Sequence, residues 1–175
     1  MKLNIQFWLK FSLLNLCIVA SLGVLMRYKI GFEFPYFNQK NILHSHSHFA
    51  FSGWITHTLM TLMVYYLQNK TANFQVHKYR KILIANLICS YGMLIFFIFQ
   101  GYGMISIFFS TASILVSYVF GYYYIKDLRK LDADFAAINW LKAALFFNII
   151  SSFGTFYLAY MMASKNVIQD LYLSS

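Results

Sequence analysis

The chain has 175 residues, of which 60% are hydrophobic, 21% aromatic and 11% charged, with a formal net charge of +9. Soluble domains have about 25% charged residues, so this composition argues against a water-soluble fold. The basic residues lie in short segments between long apolar runs, which is typical of membrane proteins and argues against nucleic-acid binding. Cys17 and Cys89 lie inside apolar runs without a neighbouring cysteine, so no disulfide framework is predicted.

Five apolar runs each approach the ~20 residues that a helix needs to cross a bilayer. They predict an all-α, polytopic membrane bundle that forms a single domain over residues 1–175. The predicted spans are 7–26, 47–68, 82–99, 104–125 and 137–162. The first run also resembles a secretory signal, but Lys10 interrupts it and it continues to Met26, so we interpret it as a retained helix.

The segments between the spans predict the orientation. A polar loop (27–45), a basic loop (69–81), a hairpin with two glycines (100–103) and a charged connector (126–136) separate the spans, and a polar tail (163–175) follows. Ten lysine and arginine residues lie on the side of the amino terminus, against four on the other side. The excess of positive charge inside predicts an internal amino terminus, an external carboxyl terminus and an external loop before the second span.

Three histidines, His44, His46 and His48, lie where that loop meets the second span, and they are the candidate metal ligands. Successive residues of an α-helix rotate by ~100°, so His44 and His48 share one face while His46 lies ~200° away. Two flat cofactors on opposite sides of the helix would use His46 and His48 more easily than one compact metal site. Ser45 and Ser47 are candidate N-caps, and a helix start here would favour the neutral imidazole that metals bind.

The residues after the histidines continue the two faces. Small residues on the His46 face would allow a macrocycle or another helix to approach closely. The His46 face carries Ala50, Gly53 and His57, and the His48 face carries Phe51, Ser52, Ile55 and Leu59. His57 lies inside the span, where a polar side chain either forms a helix–helix hydrogen bond or acts as a ligand or proton relay. His77, in the basic loop, is predicted to lie on the surface.

The segment from His46 to Trp54, HSHFAFSGW, resembles the His-x-His-x-x-x-x-Gly(-Trp) helix of heme-copper oxidase catalytic subunits. The likeness is closest to cbb3-type oxidases and nitric oxide reductases. In that family the first histidine binds the high-spin haem and the second the low-spin haem. The resemblance therefore implies haem ligands at His46 and His48, no family role for His44, and a location in the bacterial cytoplasmic membrane.

The same resemblance implies a unit of four helices whose second helix carries the ligands, with the fifth helix opening a second unit. Arg27, Lys29 and Lys40 in the preceding loop could neutralise haem propionates. No histidine follows His77, so the copper site and the second axial ligand of the family cannot be assembled from this chain. We therefore expect part of a longer protein, a chain that works with a partner membrane subunit, or a non-catalytic relative.

These observations support three hypotheses on function. The leading one is a membrane haem-binding protein of respiratory electron-transfer type. The alternatives are a copper- or zinc-handling protein that uses His44 and His48, and a structural or oxidase-assembly subunit. No catalytic residue is predicted, because every acidic residue lies in a predicted loop or in the tail: Glu33, Asp127, Asp132, Asp134 and Asp170.

Overall fold

The computed structural model describes residues 3–71, 74–130 and 135–164, and all regular structure within them is helical. The predicted all-α class is therefore confirmed. The chain divides into two compact units, Met1–Leu131 and Asp132–Ser175. The boundary falls between the fourth and fifth predicted spans, and the single domain stays a prediction. Asp132, Asp134, Asp170 and the tail from residue 165 onward lie outside the described residues.

The first unit contains five α-helices and one π-helical segment. They are α1 (Ile5–Gly31), α2 (Gln39–Phe49), a π-helical segment (Ala50–Thr56), α3 (His57–Lys70), α4 (Val76–Gln100) and α5 (Met104–Leu128). The backbone stays right-handed helical at Ala50 and His57, so α2, the π segment and α3 form one continuous helix, which we call the histidine helix. The second unit contains α6 (Phe135–Ser164).

Three of the described helices, α1, α4 and α5, are long and apolar enough to cross a membrane. They correspond to the first, third and fourth predicted spans. The π segment divides the second predicted span into α2, with 11 residues, and α3, with 14 residues. Each of these alone is shorter than a bilayer crossing requires. That the histidine helix and α6 also cross the membrane stays a prediction.

The histidine helix begins earlier than the sequence predicts. Asn38 caps it, because its side-chain oxygen accepts hydrogen bonds from the backbone N–H groups of Lys40, at 2.9 Å, and Asn41, at 3.4 Å. The predicted caps at Ser45 and Ser47 are therefore wrong, and the histidines lie more than one turn inside the helix. The dipole effect is largely confined to the first turn, so the helix start does not favour the neutral form of these histidines.

The histidine helix lies between α1 and α4. α1 packs against α2, the π segment and α3, while α4 packs against all three and also against α5. Polar residues are buried inside this unit: Ser12, Asn15, Ser45, His57, Thr61, Asn86 and Ser90. Apolar residues are exposed on its outside: Leu14, Val24, Ile88, Phe99, Phe108 and Leu115. Polar groups inside and apolar groups outside are typical of helix bundles in membranes.

The two ends of the first unit differ in charge. At the end where α1 and α4 begin, which we call the amino-terminal end, Asp127 accepts a hydrogen bond from the Tyr79 hydroxyl at 2.8 Å. The same carboxylate forms ion pairs with Lys78 and Lys130. The basic residues gathered at this end are Lys70, Lys78, Arg80, Lys81, Lys126, Arg129 and Lys130. The opposite end, which we call the histidine end, carries Arg27, Lys29 and Lys40.

Candidate functional site

His46 and His48 point in opposite directions, as their spacing predicts. Nδ1 of His46 lies 3.0 Å from the backbone oxygen of Val19 on α1. The His48 ring stacks on Phe97 of α4, with ring centres 4.4 Å apart and an angle of 8° between the planes. The two imidazoles therefore contact different neighbouring helices, and one ion cannot be bound by both of them without a rearrangement of this end.

His44 and His48 share a neighbour, Tyr102, in the turn between α4 and α5. The Tyr102 ring lies edge-on to the His44 ring, with centroids 4.5 Å apart, and its hydroxyl lies 3.3 Å from Nε2 of His48. Burial raises the pKa of Tyr102, so the hydroxyl stays protonated and can donate a hydrogen bond to that nitrogen. The three side chains form one cluster, which we call the His44–Tyr102–His48 cluster.

The surroundings of His44 favour the neutral imidazole. Burial, and then the positive charge of Lys40 one turn earlier, lower the pKa of His44. Its Nε2 is buried and has no hydrogen-bond partner among the described residues. A neutral imidazole with a buried, unpartnered nitrogen is chemically able to bind a metal ion, because the lone pair is not blocked by a proton donor.

The hydrogen bond of His46 determines which of its nitrogens can act as a ligand. A backbone carbonyl only accepts, so in the neutral ring Nδ1 carries the proton and Nε2 carries the lone pair. Metal-binding histidines usually show this arrangement, in which a carbonyl or carboxylate orients the ring. His46 is only half-buried, and it lies beside Gly23, where an added Cβ would be 3.5 Å from its Cε1 atom.

Two asparagines hold the π segment from both sides. The Asn15 amide on α1 donates to the Gly53 carbonyl at 2.5 Å, and the Asn86 amide on α4 donates to the Ser52 carbonyl at 3.1 Å. The Tyr91 hydroxyl on α4 donates to the Asn15 side-chain oxygen at 2.6 Å. π-helical turns leave the regular backbone bonding pattern and often occur at functional sites. These contacts satisfy two of the backbone carbonyls in this stretch.

The face around Gly53 is occupied by protein. A Cβ added at Gly53 would lie 2.6 Å from the ring of Phe49, a fully buried residue, and Asn15 reaches the same glycine from α1. The small residue thus permits the close approach of a helix, not of a macrocycle. On the other face, Phe51 and Leu59 are 68% and 54% exposed.

His57 is buried deep in the first unit. Its ring lies 5.6 Å from that of Trp8 on α1, and neither ring nitrogen has a hydrogen-bond partner among the described residues. The hydroxyl of Thr61, one turn further along, also lacks one, while Thr58 donates to the Trp54 carbonyl at 2.6 Å. Of the two alternatives for His57, the helix–helix hydrogen bond is not formed within the part of the chain that the structure describes, and a ligand or proton-relay role stays a prediction.

The three basic residues predicted to face haem propionates differ in their surroundings. The Lys29 ammonium donates to the carbonyls of Phe34, at 2.6 Å, and Phe37, so it holds the turn before α2. Arg27 and Lys40 are exposed. Of the three, these two side chains are therefore better placed to meet an anion in solution or at a membrane surface. His77 is exposed, as predicted, and lies at the amino-terminal end.

Sequence reasoning missed Tyr102, Asn15 and Asn86. Tyr102 lies between two glycines in a predicted hairpin, and only the fold brings that turn over the histidines. The two asparagines are single polar residues inside apolar runs, a pattern that often marks functional or paired positions in membrane helices. That pattern could have identified them, but not their partners, which are backbone carbonyls of another helix.

Among the described residues, no group of three His, Cys, Asp or Glu side chains is arranged to hold a metal ion. A scan of protein-family models, a search of curated proteins and a search of solved structures each find no match to this chain. The geometry of the histidine end and the short motif from His46 to Trp54 are therefore what indicate a function for this chain.

Proposed function

We propose that the chain is an integral membrane, haem-binding protein of respiratory electron-transfer type, with His46 as an axial haem ligand. The observation that carries the proposal is the 3.0 Å contact between His46 Nδ1 and the Val19 carbonyl. This contact places the lone pair on Nε2 and restrains the ring, as axial histidines require. The resemblance of the His46–Trp54 segment to the heme-copper oxidase family supports the same assignment.

The surroundings of the histidines favour one haem over the two that the resemblance implies. Phe97 covers one face of the His48 ring and Tyr102 lies at its Nε2, while Asn15 and Phe49 fill the space around Gly53. A macrocycle can approach His46 only from its exposed side. Bound there, haem would supply a redox-active iron, and the second axial ligand would come from a partner membrane subunit or another part of a longer polypeptide.

The proposal includes the topology. We place the chain in the bacterial cytoplasmic membrane, with the amino terminus on the cytoplasmic side and the histidine end on the outer side. The histidine helix and α6 are then the second and fifth of five spans. The uneven distribution of lysine and arginine supports it. The test compares Lys40→Cys and Lys126→Cys, each made in a chain whose natural Cys17 and Cys89 are replaced. A membrane-impermeant thiol reagent added from the outside should label Lys40→Cys and not Lys126→Cys. Labelling of both or neither would contradict this topology.

The haem assignment is tested with the chain expressed in haem-replete cells and purified in mild detergent. The wild type should show a Soret band and a pyridine haemochrome, and His46→Ala should lose both. His77→Ala, which removes a histidine at the amino-terminal end, is the matched control and should keep full haem occupancy. A wild type without haem, or a His46→Ala variant with full occupancy, would show the proposal to be wrong.

A second candidate function is the handling of copper or zinc by the His44–Tyr102–His48 cluster. It is favoured by one observation, the buried and unpartnered Nε2 of His44 beside an imidazole on the same helix face. Imidazole nitrogens suit both metals. Metal analysis after exposure to Cu⁺ or Zn²⁺ should find bound metal in the wild type and none in a His44→Ala, His48→Ala double variant. Undiminished metal in that variant would exclude this function.

A further inference from the structure

A cavity of about 750 Å³ opens at the amino-terminal end, at the opposite end of these helices from His44, His46 and His48. Its walls come from Leu3 and the start of α1, including Phe7 and Trp8, and from the start of α4 with the residues just before it. This volume lies within the range of pockets that hold small-molecule ligands. None of the candidate haem or metal ligands, His44, His46 and His48, lines this cavity.

The charged groups at this cavity are all basic. Arg80 and Lys81 line it, both are exposed, and neither has an ion-pair or hydrogen-bond partner among the described residues. Lys78 also lines it, but its ammonium is engaged by Asp127. No acidic side chain is among the described residues that form the walls. Two positive charges are therefore available to an anion in the cavity.

The backbone adds to this preference for an anion. α4 has 25 residues and begins at Val76, and no side chain caps its first turn. The N–H groups of a first turn lack partners within the helix, and the helix dipole places partial positive charge there. Phosphate groups bind at such helix starts. Arg80 and Lys81 follow within the next turn, so backbone and side-chain charges act on the same volume.

Most of the remaining walls are apolar, and the polar residues among them are Asn4, Gln75 and His77. Phe7 is 51% exposed on α1, and Phe74 and Val76 line the cavity from the other side. α1 and α4 are both long and apolar enough to cross a membrane, and the cavity lies at their common end. A site that combines basic groups with aromatic walls at the level where membrane helices end suits an amphiphile with an anionic head, because a soluble anion would not use the apolar walls.

We propose that this cavity binds an anionic phospholipid of the leaflet at the amino-terminal end. The phosphodiester lies against the first turn of α4, Arg80 and Lys81, and the acyl chains extend along Phe7 and Phe74. The lipid would contact both the start of α1 and the start of α4.

The test uses the full chain purified in mild detergent and native mass spectrometry with added phosphatidylglycerol or phosphatidylcholine. The wild type should bind phosphatidylglycerol at one preferred site. The Arg80→Gln, Lys81→Gln double variant should bind it about 30-fold more weakly, because each removed charge contributes about 1 kcal/mol to the binding free energy. Lys126→Gln with Arg129→Gln is the matched control, since it removes two exposed charges from the same end but outside the cavity walls. This control should bind as the wild type does.

Several results would overturn the proposal. Equal binding of the two lipids by the wild type would show that the cavity does not select the anionic headgroup. Equal weakening in both double variants would show that the binding depends on the general surface charge of this end and not on the cavity. Displacement of the lipid by inorganic phosphate or glycerophosphoglycerol at comparable concentrations would assign the site to a soluble anion. Circular dichroism and size-exclusion profiles check that each variant is folded. Because the readout is bound lipid, its failure leaves the haem assignment at His46 untouched.

Discussion

Replacing Asn15 by leucine should release the π segment from α1 and lower the free energy of unfolding by about 1–3 kcal/mol. Asn15 is fully buried, and it connects the Gly53 carbonyl to the Tyr91 hydroxyl. Leucine is similar in volume, so the change removes hydrogen bonds without opening a large cavity.

The magnitude follows from the two bonds. Hydrogen bonds between membrane helices average about 0.6 kcal/mol and reach about 1.7 kcal/mol, so the loss of two gives about 1–3 kcal/mol. The Gly53 carbonyl and the Tyr91 hydroxyl would then remain buried without partners, which adds to the cost. The upper half of the range is therefore expected if neither group finds a new partner.

The assay is unfolding in mixed micelles with increasing SDS, with helix content as the readout. Leu14→Ala, at a 51% exposed neighbour on the same helix, is the matched control and should change stability by less than about 0.5 kcal/mol. Tyr91→Phe completes a double-mutant cycle. Because Asn15→Leu already removes their shared bond, the two changes should be non-additive by about 0.6 kcal/mol. Additive effects would refute this account of the contact.

Further predictions concern a tight contact, a turn and an ion pair. Gly53→Ala should destabilise by about 1–3 kcal/mol through its clash with Phe49, whereas Gly31→Ala, with open space around it, should not. Gly101→Ala should cost about 1–3 kcal/mol because φ is +59° there, and a shifted unfolding midpoint would show it. Asp127→Asn should cost about 1–2 kcal/mol through its ion pairs and tyrosine bond, and an unchanged midpoint would contradict their contribution.

The order of the helices could be predicted from the sequence, because long apolar runs separated by charged segments have few alternatives to helices. α4 begins six residues before its predicted span and α1 ends five residues after its own, and the other ends of α1, α4 and α5 agree with the predicted spans within three residues. The start of the histidine helix was missed because two good caps, Asn38 and Ser45, compete, and only packing of the following turns decides between them. Ser45 is instead buried, and its hydroxyl donates to the Leu94 carbonyl at 2.7 Å.

The divergence of His46 and His48 could also be predicted, since it depends only on helical rotation. Their partners could not. Val19 contributes a backbone oxygen, which any residue would offer, and Tyr102 reaches the histidines only because α4 and α5 turn back at this end. No pattern of apolar residues in the sequence predicts the π segment, because the amides that bond its carbonyls come from Asn15 and Asn86 on other helices.

The π segment sets the rotation of α2 relative to α3. Its i→i+5 bonds give it more residues per turn than the i→i+4 bonds of an α-helix. If the seven residues from Ala50 to Thr56 formed a regular α-helix instead, the extra residue would turn α2 by about 100° relative to α3. His46 would then lose the Val19 carbonyl and His48 would leave Phe97, although no side chain at the histidine end had changed. The direction in which each imidazole points thus depends on the π-helical conformation between His48 and His57.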